Sequence, residues 1–380
     1  MAKTFRVGLI GYRFMGRAHS SAWRQAPKFF PLKANVELHT ICGREASGVQ
    51  AARAQLGWQH AATDWHEVVE SPLIDIVDIA APPYLHAEMA IAAAKNGKHV
   101  LCEKVFALNV KQAEQMLAAA TKAKVVHMVC HNYRRIPAIA LAKRIISEGT
   151  LGRIYHFRAR YAQDRLADPE FPVDWRLQKE FCGGGVNYDI GSHIIDLGRY
   201  LVGEFKEVMG MLHTFVPERP SAEALAKGAR KMGKVNVPDS SAFLGWMDNG
   251  VFANLEATRY APGRKNHIEI EVNGSNGSIY FDFEDMNRLK YYNVADPEDR
   301  RGFRDIYVTE RNNAHPYVSN WWPPGHGLGY EHTFVHTVAD FINACADGKS
   351  VQPTFEDGLK NQRVLAAIEE SASKGKWAKV

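Results

Sequence analysis

A short apolar run at residues 5–10 ends in the turn Gly11-Tyr12-Arg13-Phe14-Met15-Gly16, and a helical pattern follows over residues 15–25. A strand that feeds a helix through such a turn opens a β-α-β unit, and the right-handed crossover then commits the chain to a parallel sheet. Gly11 supplies the tight turn, Gly16 permits close helix–strand packing, and the helix start offers free N–H groups to a phosphate. The dinucleotide fingerprint G-x-G-x-x-G has arginine at its middle position here, Arg13. Two glycines in a β-α turn are also compatible with a purely structural role, so the rest of the chain has to decide.

The alternation continues through the first third of the chain. Strand-like runs fall at 36–42, 74–80 ("IDIVDIA"), 100–103 and 125–130, with helical stretches through 55, at 86–96 with Gly97 as its C-cap, and at 110–123. This predicts a doubly wound Rossmann domain over residues 1–132, with ligands at the carboxyl ends of its strands. Beyond 133 the pattern changes. A helix at 136–148 leads to a strand-like run at 153–161, then a helix at 187–201. Alternating segments follow at 207–216, 241–246, 251–260, 267–274 and 278–283, with Asn-Gly turn signals at 273 and 276. Consecutive alternating strands predict an antiparallel sheet with one wet or interface face in a second α/β domain, 133–380. Residues 217–238 read as a loop or flap. The closing helices, 332–346 and 355–373, are expected to pack back on the first domain.

Bulk properties exclude several classes. The net charge of +5 comes from scattered Lys and Arg, which argues against nucleic acid. No apolar run approaches membrane-spanning length. Five cysteines without C-x-x-C spacing favour a reducing compartment. Strand-like residues already begin at Phe5, which leaves no leader, so a cytoplasmic location is expected. His332 and His336 stand four apart but lack H-E-x-x-H order and a third ligand, so no metal is expected.

Three further stretches carry chemistry. Glu103-Lys104 ends a parallel strand, on the ligand-binding edge; a surface ion pair is the alternative. Gly183-Gly184-Gly185 precedes a helical run in which Asp189, His193 and Asp196 fall at i, i+4 and i+7, on one face of a regular helix. A histidine with a carboxylate one turn away suits general acid–base work; a capped helix with a satisfied histidine is the alternative. Finally "NWWPPGHGLGYEH", residues 320–332, combines Trp322 and Tyr330 with polar tips. Such aromatic faces suit the C–H faces of a pyranose, or else they plug an interface.

In this order, the Gly-rich turn, E-K after a later strand, and G-G-G-x-x-x-D-x-G-x-H resemble the Gfo/Idh/MocA oxidoreductases over nearly the whole chain. The resemblance implies a Rossmann domain plus an α/β domain with a large open, mostly antiparallel sheet that joins homo-oligomers, dimers or tetramers. It implies NAD(P)-dependent hydride transfer at a ring secondary hydroxyl of a sugar, cyclitol or anhydrosugar. His193 becomes the general base, Lys104 the donor to the reacting oxygen, and Asp189 the partner of a neighbouring hydroxyl or of His193. Trp175 and Arg176 match a W-R element that lies against the cofactor. Ala81, Pro82, His86, Glu103, Asn132 and Arg134 match strand-end positions around the nicotinamide, with Tyr133, Tyr161, Trp322 and Tyr330 facing substrate. Val105 stands where the family has proline, which is expected to loosen the backbone that aims Lys104. At the second strand's end, Cys42-Gly43-Arg44-Glu45 has no Asp at the usual place; the lean is to NAD, with NADP kept open. Two other outcomes stay open: transient oxidation by a tightly bound cofactor, and a non-catalytic sugar or nucleotide sensor on the same fold.

Overall fold

The computed structural model describes residues 3–380. They form two compact units: the residues up to Arg135 together with Gly329–Lys360, and Ile136–Leu328 together with Asn361–Val380. The sequence reading divides the chain at 132/133 with the closing helices packing back on the first domain; residues 329–360 group with the first unit.

In the first unit, β1 (Thr4–Ile10), α1 (Phe14–Phe29), β2 (Asn35–Cys42), α2 (Ala46–Leu56), β3 (His60–Ala62), β4 (Ile76–Ile79), α3 (His86–Lys95), β5 (His99–Cys102), α4 (Val110–Ala123) and β6 (His127–Val129) follow in order. The strands make one six-stranded sheet, β3-β2-β1-β4-β5-β6, and every pairing is parallel. The order reverses at β1, whose neighbours on either side are β2 and β4. That is the topological switch point, where open α/β sheets bind ligands beyond the strand ends. β4 and β5 are buried along nearly their whole length, as strands covered on both faces must be. The core joins Val77, Ile79, Val100, Cys102 and Met116 with Phe355 and Leu359. α3 ends at the cap residue Asn96, and Gly97 takes the left-handed φ of +72°. The short β3 escapes sequence reading because three residues carry too little pattern.

The second unit is built on a nine-stranded mixed sheet. α5 (Pro137–Ser147), β7 (Ile154–Ala162), α6 (Ser192–Leu201), β8 (Phe205–His213), β9 (Ser240–Met247), β10 (Phe252–Thr258), β11 (His267–Gly274), β12 (Gly277–Asp282), β13 (Arg288–Asn293), β14 (Arg304–Tyr307) and β15 (Ala378–Lys379) make it up. The strand order is β14-β13-β12-β11-β7-β10-β9-β8-β15. The β7–β10 pair is parallel and its neighbours are antiparallel. β9 alternates strictly: Phe243 and Met247 are buried while Leu244 and Trp246 are exposed.

Two sequence expectations change here. Residues 217–238 are a short antiparallel hairpin, Glu218–Pro220 against Met232–Lys234, with the helical turn Ala222–Ala226 between them. The fully buried Arg219 fastens this hairpin by donating to the carbonyls of Leu166 (2.6 Å) and Asp168 (2.8 Å). The helix expected over 187–201 is not uniform either. Asn187–Gly191 is a π-helical turn, and regular α-helix begins at Ser192.

Candidate active site

In the first unit the site grows from the β1–α1 turn. The Gly11 N–H donates to the Cys42 carbonyl at 2.9 Å, tying the turn to the end of β2. Gly11 has φ +111°, and a Cβ there would lie 2.5 Å from the Ala80 carbonyl oxygen; a Cβ on Gly16 would lie 2.0 Å from the Gly11 oxygen. Both glycines are therefore required by space. Arg13 is different: it is the N-cap of α1, with φ −76°, and its side chain is exposed. The middle position needs no glycine conformation, so arginine is accommodated without strain. Phe14 is also exposed, and its ring stacks parallel to Tyr330 at 6.5 Å. Met15 is half-buried behind it.

At the end of β2, the Tyr12 ring covers Gly43 and Gly48 so closely that a Cβ on Gly43 would lie 2.2 Å from it. The Tyr12 hydroxyl donates to Glu45 at 3.3 Å, and Ser47 donates to the other carboxylate oxygen at 3.2 Å. Arg44 is exposed beside them. The Cys42 thiol is buried and pushed up to about 12 by desolvation, so only its backbone serves this edge.

At the ends of β4 and β5, the buried His86 faces two carbonyls, Ala81 at 2.8 Å and Val105 at 2.9 Å. This contact ties the Ala81-Pro82 loop to the backbone just after Lys104. Val105 is itself buried, and the Lys104–Val105 peptide is cis. Val105 thus packs in the core with its carbonyl against His86. Glu103 is buried, and one of its oxygens accepts from the Lys104 backbone N–H at 3.1 Å. Asn132 donates to Thr333 at 2.8 Å, and the buried Arg134 reaches Asp357 at 3.3 Å. These two residues anchor the segment that presents Tyr133, whose ring meets Tyr330 edge-on at 6.3 Å. His332 and His336 have structural work. The former accepts from the Gly329 N–H (3.0 Å) and the latter donates to the Arg135 carbonyl (2.8 Å).

In the second unit the triple glycine is a packing device. Cβ atoms on Gly183 and Gly184 would lie 2.6 and 2.2 Å from the Tyr188 ring, and one on Gly185 (φ +57°) would lie 2.6 Å from the Pro238 carbonyl. The close fit seats the π turn against β9. Ser241 donates to the buried Asn187 at 3.3 Å, and Asn361 donates to the Ser192 carbonyl at 3.0 Å. Asp189 lies on this five-residue π turn and His193 on the regular helix that continues it. Asp189 forms an ion pair with the buried Arg259, the residue that follows β10. Burial, with Arg165 and Arg176 nearby, pulls the Arg259 guanidinium down to about 10. His193 is buried on α6, with the Tyr161 ring 5.9 Å away and the Tyr161 hydroxyl donating to Asn266 at 2.6 Å. Trp175 lies under the Arg176 guanidinium at 4.2 Å, and Arg176 pairs with Asp174 at 3.0 Å. Trp321 is buried and Trp322 exposed.

Tyr12, Glu45, Lys104, Tyr133 and Tyr330 thus lie in the first unit, and Tyr161, Trp175, Arg176, Asp189, His193 and Trp322 in the second. Sequence reasoning missed Arg259. Its one signal is a charged residue directly after an alternating strand. It also missed His19 and Asp78, although an aspartate inside the otherwise apolar run 74–80 was a visible anomaly.

Comparison with known proteins agrees with this division. Residues 5–131 match the oxidoreductase family with an NAD-binding Rossmann fold, and residues 139–280 match the GFO/IDH/MocA C-terminal domain. The chain is 43% identical to levoglucosan dehydrogenase of Pseudarthrobacter phenanthrenivorans, covering 100% of this chain and 98% of that one. A crystal structure of an oxidoreductase domain protein from Kribbella flavida is 49% identical, with a TM-score of 0.95 over 100% of this chain and 99% of that one. A levoglucosan dehydrogenase solved with NADH and levoglucosan is 43% identical, with a TM-score of 0.95 over 100% of both chains. Among the described residues, no helix is long and apolar enough to cross a membrane.

Proposed function

This chain belongs to the Gfo/Idh/MocA oxidoreductase family, and within it we propose an NAD-dependent dehydrogenase that oxidises a ring secondary hydroxyl of an anhydrosugar of the levoglucosan type. The observation that carries this reading is the full-length 43% identity to a levoglucosan dehydrogenase, with Lys104, Asp189 and His193 all present in this sequence.

The first unit fits a dinucleotide. A side chain on Gly11 or Gly16 would fill the cradle, and the α1 N-terminus directs its unpaired N–H groups outward for a pyrophosphate. Gly11, Tyr12, Arg13, Phe14, Met15 and Gly16 would hold the phosphates and the ring above them. Cys42, Gly43 and Glu45 would take the adenosine, and Ala81, Pro82, His86, Glu103, Asn132, Trp175 and Arg176 the nicotinamide end. Glu45, set by Tyr12 and Ser47, suits the two ribose hydroxyls and repels a 2′-phosphate, which supports NAD over NADP. Arg44 would lie against the adenine. When bound, the nicotinamide supplies the hydride acceptor.

The protein's own part is acid–base chemistry. His193 takes the proton of the substrate hydroxyl, and returns it in the reverse direction. Lys104 donates to the same oxygen and offsets the negative charge that develops on it. Asp189, oriented by Arg259, accepts from a neighbouring hydroxyl. Tyr133, Tyr161, Trp322 and Tyr330 would present aromatic faces to the sugar ring. The exposed Leu244 and Trp246 on β9 suit the matching face of a second copy, giving a homo-oligomer; a monomeric mass in solution would contradict this.

The test is a screen of NAD and NADP against levoglucosan, neutral pyranoses and inositols, read at the NADH absorbance band. Net NADH with levoglucosan as the best substrate is expected. Turnover of substrate without NADH accumulation would show a cofactor that cycles in place, and no turnover with any sugar would point to a sensor.

A further inference from the structure

Beside Lys104 lies a buried charged cluster whose histidine and aspartate the reaction just described does not use. His19 on α1 is buried, and its Nδ1 stands 2.9 Å from both oxygens of Asp78 on β4. Its Nε2 stands 2.9 Å from Oε1 of Glu103, the residue that follows β5. The Trp23 indole donates to Asp78 at 2.6 Å, and the other Glu103 oxygen accepts from the Lys104 N–H at 3.1 Å. Both ring nitrogens of His19 therefore face carboxylate oxygens. Toward two ionised carboxylates, an imidazole can satisfy both contacts only by carrying two protons.

We infer that His19 is a positioning residue for Lys104: as an imidazolium it locks the Glu103 carboxylate, which in turn fixes the backbone from which the Lys104 side chain reaches the reacting oxygen. This inference rests on the role given to Lys104 above.

The groups facing His19 agree. Burial opposes its charge, but Asp78 and Cys130 together outweigh that cost and raise the imidazole well above its usual range. Burial likewise opposes the Glu103 carboxylate, and His19, with Lys104 and Cys130, more than offsets it, so Glu103 is lowered. From beyond β6, Cys130 lies 3.8 Å from Nε2, and desolvation pushes its thiol up to about 12, so it remains protonated. On the helix Tyr330–Asp347, Phe334 covers the His19 ring at 5.4 Å. Tyr330, desolvated and close to Tyr133, Glu103 and Cys130, is held as a neutral phenol. Two carboxylates and one imidazolium leave one negative charge in a dry edge, directly beside the Lys104 amide.

His19, Glu103 and Cys130 also approach one another as three metal ligands do, within 4.8 Å. The separation of 2.9 Å between Nε2 and Oε1 is a hydrogen bond; two ligands of one tetrahedral zinc stand about 3.3 Å apart. A proton, and not a cation, joins them.

The experiment has three readouts. Nitrogen NMR of the wild-type protein should show both His19 ring nitrogens still protonated well above the ordinary imidazole pKa of about 6.5. Ordinary titration, or stoichiometric zinc in the purified protein, overturns the inference. In His19→Gln, kcat with levoglucosan should fall by about tenfold or more while the NADH dissociation constant stays within about twofold. A merely structural role would instead impair turnover and NADH binding together, or neither. If His19→Gln does not fold, Asp78→Asn should lower kcat by about threefold or more in the same selective way. Unchanged kcat in an active enzyme overturns this inference alone. If the wild type oxidises no sugar, the functional reading fails, and the NMR result still decides the state of His19.

Discussion

The tightest geometric constraint in the nucleotide-binding half is at Gly16, and replacing it with alanine tests the turn directly. The new methyl would lie 2.0 Å from the Gly11 carbonyl oxygen and 2.7 Å from its carbon, about 1.4 Å short of ordinary contact at 3.4 Å. Neither neighbour can yield easily. Gly11 is held on one side by its 2.9 Å hydrogen bond to Cys42 and on the other by the close approach of Ala80. Relief requires α1 to move outward by roughly an ångström or the Gly11 bond to break. Overpacking costs about 1–3 kcal/mol and a lost hydrogen bond about 1 kcal/mol, so about 2–4 kcal/mol in all. Placed on the bound geometry, that weakens NADH by roughly thirty- to several-hundred-fold. Calorimetric titration with NADH, alongside thermal unfolding, measures both parts. Gly302 is the control, because a Cβ there would meet nothing within 4 Å, and Gly302→Ala should leave both unchanged. Wild-type NADH affinity and melting temperature in Gly16→Ala would refute the reasoning.

Arg13→Gly should retain or improve NADH binding, because the position has an ordinary φ and an exposed side chain. A loss of about tenfold, about 1.4 kcal/mol, would show that the guanidinium holds the pyrophosphate. Glu45→Ala should raise the KM for NAD and narrow the preference over NADP; an unchanged ratio would remove Glu45 from the ribose site. His336 is fully buried, and desolvation holds it down at about 3. Below its unfolded pKa of about 6.5, the unfolded chain takes up a proton that the folded chain refuses, so stability falls as pH falls. At pH 4.5 this amounts to roughly 2–3 kcal/mol. Urea unfolding of wild type and His336→Gln at neutral pH and at about pH 4.5 measures it, and an equal acid loss in the variant would contradict it. Arg259→Ala should leave Asp189 without its buried partner and raise the KM for sugar more than that for NAD.

Much of the first unit was legible because its strands are continuous apolar runs and its helices are long and periodic. The β1–α1 turn was legible too, down to the two glycines that space requires. Arg13 looked like a defect because the motif records residue types and not dihedral angles; its φ shows that only Gly11 and Gly16 are constrained. Asp189 and His193 were found by spacing, but the π turn that carries Asp189 depends on how Gly183–Gly185 fit under Tyr188 and on Pro238, which no helical period encodes. The same holds for Arg259 and for the His19–Asp78–Glu103 cluster. Their members are 59 to 84 residues apart in sequence for the His19 pairs and 70 for Arg259 with Asp189, so only the folded chain brings them together. The last two strands at one end of the sheet, β13 and β14, were missed because their mixed charged and aromatic residues dilute the alternation.

The most direct test of the account is a single-turnover measurement of NADH formation from levoglucosan and NAD, made across pH for the wild type, His193→Ala and Lys104→Met. If His193 is the base and Lys104 the donor, each variant forms NADH about a hundredfold or more slowly while still binding NAD. Wild-type rates in His193→Ala would contradict the account at its centre.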